Sequence, residues 1–270
     1  MQDKKLKILT GPCVLEDRDT VLKIAEKLLP LSEDKRVEFY FKASFDKANR
    51  TSLSSYRGPG LEEGLKLFEE IKKEFGYKIV TDIHESYQAA PTAQVVDILQ
   101  IPAFLCRQTD LLVAAAKTNT IINIKKGQFL AADAMKHPVE KILHTRGVQD
   151  VSYENSQENN IWLCERGNTF GYGALIVDMR NLLLLKNYAP VIFDATHSVQ
   201  IPSTGMTTGG NAPFVPYMAR AAAAVGVDGF FFESHIDPSV AKSDGPNMLN
   251  MEDLYTTINQ VFAIKEALGN

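Results

Sequence analysis

Short apolar runs rich in β-branched and aromatic residues alternate with amphipathic stretches along the whole chain, and no Pro/Ser/Gly-rich linker divides it. Eight of these runs read as strands, at residues 7–14, 37–44, 77–83, 96–101, 120–126, 160–166, 190–197 and 228–235. The stretches between them carry helical spacing at 18–29, 61–75, 87–94, 110–117, 133–144, 172–186, 211–225 and 251–268. Continuously apolar segments such as Val191-Ile192-Phe193 and Phe230-Phe231-Phe232 suit parallel strands covered on both faces. Eight successive strand–helix units predict an α/β chain folded as a TIM (β/α)₈ barrel, one domain over 1–270. A doubly wound open sheet is the alternative, but no Gly-rich dinucleotide fingerprint follows the first strand. The stretch 147–160, rich in Asn, Gln and Glu, reads as an extended polar loop.

Composition narrows the partners. A net charge of -4 without any dense Lys/Arg block argues against nucleic acid or an anionic membrane, so any cationic site has to be local. The charged start has no apolar stretch of signal length behind it, and the small-apolar run at 221–227 is too short to span a bilayer. A cytoplasmic protein is expected. Cys13, Cys106 and Cys164 are odd in number and widely spaced, which fits a reducing compartment better than a disulfide framework.

The reactive side chains gather at the C-terminal strand ends, where barrels of this kind build their sites: Cys13, Lys42, Asp82, Lys125, Arg166, His197 and Glu233. Residues two apart on a strand point the same way, so Lys42 with Ser44, Asp82 with His84, and Glu233 with His235 form candidate pairs. The segment 42–52 places Lys42, Lys47 and Arg50 among Ser44, Asn49, Thr51 and Ser52, which is phosphate-binding chemistry. Cys13, His197, Glu233 and Asp244 form a candidate ligand set for a borderline divalent ion such as zinc, iron, manganese or cobalt. His84 and His235 are left outside that set, Cys106 and Cys164 read as packing residues, and His137 and His144 as solvated.

Through these motifs the sequence resembles the 3-deoxy-D-manno-octulosonate 8-phosphate (KDO8P) synthases over nearly its whole length. The resemblance is carried by Gly11-Pro12-Cys13, the segment 42–52, Thr81-Asp82-Ile83-His84-Glu85, the run 100–110 and Lys125-Lys126-Gly127-Gln128-Phe129. Glu165-Arg166-Gly167 with Phe170-Gly171-Tyr172, Asp194-Ala195-Thr196-His197-Ser198, and Glu233 with Ser243-Asp244-Gly245 complete it. It implies condensation of phosphoenolpyruvate with D-arabinose 5-phosphate and water, releasing phosphate, for lipopolysaccharide biosynthesis. It also implies that Lys42, Ser44, Lys47, Gln100, Lys125 and Arg166 hold phosphoenolpyruvate, and that Asn49, Arg50, Thr51 and Ser52 hold the sugar phosphate. Lys47, Asp82, His197 and Cys13 are then the candidate catalytic groups, and Arg107 comes from a neighbouring subunit of a homotetramer. Thr51 stands where the family pattern has Ser. Cys13 stands where a metal-free branch has Asn, which implies the metal-dependent branch. The related synthase using erythrose 4-phosphate to make 3-deoxy-D-arabino-heptulosonate 7-phosphate is the nearest alternative. It typically reads Lys-Pro-Arg-Thr where this chain has Lys47-Ala48-Asn49-Arg50. A non-catalytic phosphosugar-binding barrel is an alternative of another class.

Overall fold

The protein is described by a computed structural model covering residues 5–170, 173–202 and 209–269. Parallel strands β1 (Leu6–Gly11), β2 (Val37–Lys42), β3 (Lys78–Asp82), β4 (Ile98–Ile101), β5 (Ile121–Lys125), β6 (Ile161–Glu165), β7 (Val191–Asp194) and β8 (Gly229–Glu233) close into a barrel in chain order. The seam pairs β1 with β8 from Lys7 opposite Gly229 to Gly11 opposite Glu233. Gly229 permits this closure, because a Cβ there would lie 2.6 Å from the Lys7 carbonyl oxygen. The expected (β/α)₈ barrel is the observed fold, and the open-sheet alternative is excluded by that seam.

Alternation along the strands builds two apolar layers. Leu9, Tyr40, Val80, Ile98, Trp162, Cys164, Ile192 and Phe231 fill the barrel interior, one or two from each contributing strand, with Ile121 of β5 packed against them. Their neighbours, among them Ile8, Phe41, Ile79, Leu99, Ile124, Leu163, Phe193 and Phe232, face outward and pack under the helices. Each fully buried aromatic contributes about 2–3 kcal/mol of apolar burial.

The helices are α1 (Arg18–Lys27), α2 (Leu29–Glu33), α3 (Leu61–Phe75), α4 (Ala89–Ala93), α5 (Thr109–Ala116), α6 (Lys136–Thr145), α7 (Tyr153–Glu158), α8 (Arg180–Leu185), α9 (Val215–Val225) and α10 (Met251–Ala267). In α3 the sequence signals agree: Glu62 and Glu63 in the first turn, Lys72 and Lys73 in the last, and Gly76 at φ 70° as the stop. Among the described residues no helix is long and apolar enough to cross a membrane.

Three expectations change. The stretch 147–160 is not a continuous loop, because Ser152 caps α7 by accepting the Asn155 N–H at 3.1 Å, and capping overrides poor apolar periodicity. The helix expected at 172–186 shrinks to α8: Asn168–Thr169 and Leu175–Ile176 form an antiparallel ladder ahead of it, while Gly171 and Tyr172 lie outside the described residues. The helix expected at 87–94 is a three-residue turn followed by α4.

Candidate active site at the strand ends

The C-terminal ends of the strands open into a cavity of about 920 Å³. Among the residues expected to bind substrate, Lys42, Lys47, Asn49, Arg50, Thr51, Gln100, Lys125 and Arg166 line it. Asp82, His197 and Asp244 line it as well, while Ser44, Cys13 and Glu233 are fully buried beside them. Ser44 is a link in the floor: its hydroxyl accepts from Lys42 Nζ at 3.2 Å and donates to Asp82 Oδ1. Two expected residues stand apart. Ser52 Oγ pairs with Ser54 Oγ at 2.9 Å, and the exposed Arg107 offers its carbonyl to Lys141 rather than its side chain to this cavity.

Cations and carboxylates are interleaved here in a nearly dry environment. Lys42 Nζ lies 3.7 Å from Glu233 Oε1 and 4.0 Å from Asp82 Oδ1, and Lys47 Nζ is 3.9 Å from Glu233 Oε1. Burial and the neighbouring Lys47 pull Lys42 below its ordinary value. Burial also works against charge on Lys47, but the carboxylates of Glu233, Asp82 and Asp244 oppose it and hold that ammonium above its ordinary range. For Asp82, burial opposes ionisation, yet the His84 hydrogen bond at 3.0 Å and the two lysines keep it well below the usual carboxylate range. The result is a mouth with fixed positive groups and ionised carboxylates, suited to gripping a small polyanion.

Beside these lysines the same floor offers metal-ligand chemistry, with Lys125 Nζ 3.4 Å from His197 Nδ1. Donor atoms of Cys13, Glu233 and Asp244 all lie within 4.8 Å of one another. The fourth expected ligand, His197, lies outside that three-residue group, although its Nε2 stands 3.6 Å from Glu233 Oε1 and 3.6 Å from Asp244 Oδ2, close to the ~3.4–3.8 Å edge of a tetrahedron built on ordinary metal–ligand bonds. Both Glu233 carboxylate oxygens are buried without a hydrogen-bond partner, the state of a carboxylate whose lone pairs are kept for a cation. Burial, and next Glu233, raise the Cys13 thiol well above its ordinary value, which a divalent cation would reverse by binding the thiolate. The residues therefore fit a divalent ion. His235 is outside this cluster, facing Glu16 at 3.7 Å and the Asp237 backbone.

Sequence reasoning gave no role to two residues that the geometry makes prominent. Asp194, fully buried, pairs with Lys125 Nζ and lies 2.8 Å from His197 Nδ1, so it joins a cavity cation to a candidate metal ligand. The Asp194-x-x-His197 spacing at a strand end was the available signal. Gln200 Oε1 accepts from Arg166 Nη2 at 2.6 Å, while Arg166 Nη1 is buried without a partner; nothing in the sequence shows that contact.

The chain is 61% identical over 259 residues to a Helicobacter hepaticus protein named 2-dehydro-3-deoxyphosphooctonate aldolase, covering 96% of each. Proteins of the same name from Campylobacter jejuni and Wolinella succinogenes are 58% identical over 266 residues and 59% identical over 260. These matches cover 98% of both chains in the first case, and 96% of this chain and 99% of the relative in the second. With a family match that runs from residue 2 to residue 268, this chain belongs to the DAHP synthetase I family.

Proposed function

We propose that this chain condenses phosphoenolpyruvate with D-arabinose 5-phosphate and water to give 3-deoxy-D-manno-octulosonate 8-phosphate and inorganic phosphate, a step toward lipopolysaccharide. The carrying observation is that Lys42, Lys47, Lys125 and Arg166 converge on one cavity, beside which Cys13, Glu233 and Asp244 group together, with His197 next to Glu233 and Asp244. Near-full-length relatives bearing the octulosonate-aldolase name support the same substrates.

In this reading Lys42, Ser44, Lys47, Gln100, Lys125 and Arg166 hold the phosphate and carboxylate of phosphoenolpyruvate, and Asn49, Arg50 and Thr51, which line the cavity, receive the sugar phosphate, with Ser52 next to them on the same loop. C3 of phosphoenolpyruvate bonds to the aldehyde carbon of the sugar, whose oxygen takes a proton. Water adds at C2, losing one proton to leave a hydroxyl there; cleavage of the bond from C2 to the phosphate oxygen then expels phosphate, which takes up the hydroxyl proton as the ketone forms. Lys47, held charged beside Asp82, steadies the negative charge that develops as phosphate departs. Cys13, His197, Glu233 and Asp244 are the residues that would hold a divalent ion, which when bound would supply Lewis-acid polarisation to the aldehyde or the water. The exposed Arg107 fits the neighbour-donated cation of a homotetramer, and a cytoplasmic setting suits the free thiols.

Product mass after incubation with phosphoenolpyruvate and each sugar phosphate separately tests the reading. An eight-carbon product from arabinose 5-phosphate is expected; turnover confined to erythrose 4-phosphate, giving a seven-carbon product, would support the heptulosonate alternative instead.

A further inference from the structure

Lys126 is fully buried and takes no part in the chemistry above. Consecutive residues at the end of a strand face opposite sides, and here Lys125 enters the cavity while Lys126 turns into the wall between β5 and β6. Its Nζ lies 3.0 Å from Asn168 Oδ1 and 3.4 Å from each of Glu165 Oε1 and the Gly127, Leu130 and Gly167 carbonyl oxygens. Three ammonium protons are thus shared among five oxygens, an arrangement that resembles the oxygen cage of a small monovalent cation.

Those oxygens belong to the two loops that carry the anion-binding side chains. Glu165, itself fully buried, uses Oε1 to accept the backbone N–H groups of Arg166 at 3.0 Å and Gly167 at 2.7 Å. Across the gap, Asn168 Nδ2 donates to Leu130 O at 2.9 Å and Thr169 N donates to Gln128 O at 3.0 Å. Lys125 and Gln128 on one loop, and Arg166 on the other, line the cavity. Burial pulls the Lys126 ammonium below its ordinary value and Glu165 opposes that, so the cage compensates a charge that the fold has placed out of water.

We propose that Lys126 is a positioning residue for the anion clamp, an internal cation whose oxygen cage fixes the backbone from which Lys125 and Arg166 reach their ligand. The proposal rests on reading those two side chains as anchors of phosphoenolpyruvate. Removing the side chain beyond Cβ leaves a cage that ammonium can enter, and that predicts a rescue which a purely structural lysine would not show.

The test compares the parent, Lys126→Ala and the charge-free pair Lys126→Met with Glu165→Gln, by calorimetric titration with phosphoenolpyruvate alone and by steady-state kinetics. For Lys126→Ala, phosphoenolpyruvate affinity falls about tenfold or more while KM for arabinose 5-phosphate stays within about twofold. Ammonium chloride restores much of that affinity, and sodium chloride at equal ionic strength does not. Unchanged phosphoenolpyruvate affinity overturns the proposal, as does a loss shared equally by both substrates that ammonium fails to recover. Where the alanine variant does not fold, the paired variant decides: weakened phosphoenolpyruvate binding supports the proposal and parental binding overturns it. A parent that binds phosphoenolpyruvate yet forms no octulosonate product defeats the proposed function while leaving the Lys126 comparison intact.

Discussion

Asp194 Oδ2 stands 2.8 Å from His197 Nδ1, and Asp194 Oδ1 accepts the His197 backbone N–H at 2.8 Å. This double hold keeps the Nδ1 proton on the Asp194 side and turns Nε2 toward Glu233 and Asp244. Burial opposes charge on Asp194, but His197 and Lys125 together keep it well below the usual carboxylate range. Asp194→Asn is therefore expected to weaken divalent-metal affinity by about 10–100-fold, since the amide no longer fixes the imidazole's proton. Metal titration of the purified variant checks this; parental affinity would show that Asp194 does not orient His197.

Arg50 ties the loop that follows β2 to the loop bearing Asp244. Its Nη1 donates to Ser243 Oγ at 2.8 Å and its Nη2 to Lys242 O at 2.9 Å. Arg50→Ala removes a guanidinium fork suited to phosphate, so KM for arabinose 5-phosphate should rise about tenfold or more. Phosphoenolpyruvate binding, measured by calorimetry, should change little. An equal loss for both substrates would place Arg50 elsewhere in the chemistry.

Asp82 gives the site a pH signature. A depressed carboxyl binds fewer protons in the folded state than in the unfolded one, so its stabilisation is complete above the unfolded value near ~3.9 and is lost as pH falls through the folded value. Thermal melts should show Asp82→Asn less stable than the parent at about pH 7, with the gap narrowing below about pH 4. A gap that widens on acidification would contradict this sign.

How much of this was legible in the sequence depends on what kind of signal each part left. The barrel strands announced themselves through runs such as Phe230-Phe231-Phe232, because a strand covered on both faces has to be apolar throughout. Lys42 with Ser44 and Asp82 with His84 were readable as same-face pairs and are in contact. Glu233 with His235 failed as a pair because the chain leaves the strand after Glu233 and His235 turns to Glu16. α7 was missed because its stability comes from the Ser152 cap and the buried Ser156 bonded to Tyr188 O, which leave no apolar stripe. Gln200 was missed because its partner, Arg166, is distant in sequence and neither residue type is diagnostic alone.

Gly11 marks a close approach of β1 to the end of β2. A Cβ there would sit 2.4 Å from the Lys42 carbonyl oxygen, which belongs to backbone that cannot yield cheaply. Gly11→Ala should cost about 1–3 kcal/mol of stability by overpacking and displace Lys42, lowering phosphoenolpyruvate affinity as well. Denaturant unfolding alongside calorimetry reads both effects; parental values of both would refute the close approach.

The central claim is that the anion clamp and the cation site form one reaction centre. Phosphate release from phosphoenolpyruvate and arabinose 5-phosphate, measured on chelator-stripped protein before and after restoring a divalent ion, tests it most directly. Stripped protein should still bind phosphoenolpyruvate through Lys125 and Arg166 but release almost no phosphate until the ion returns, and Cys13→Ala should respond poorly to that return. Full-rate release in excess chelator, by the parent or by Cys13→Ala, would contradict the account.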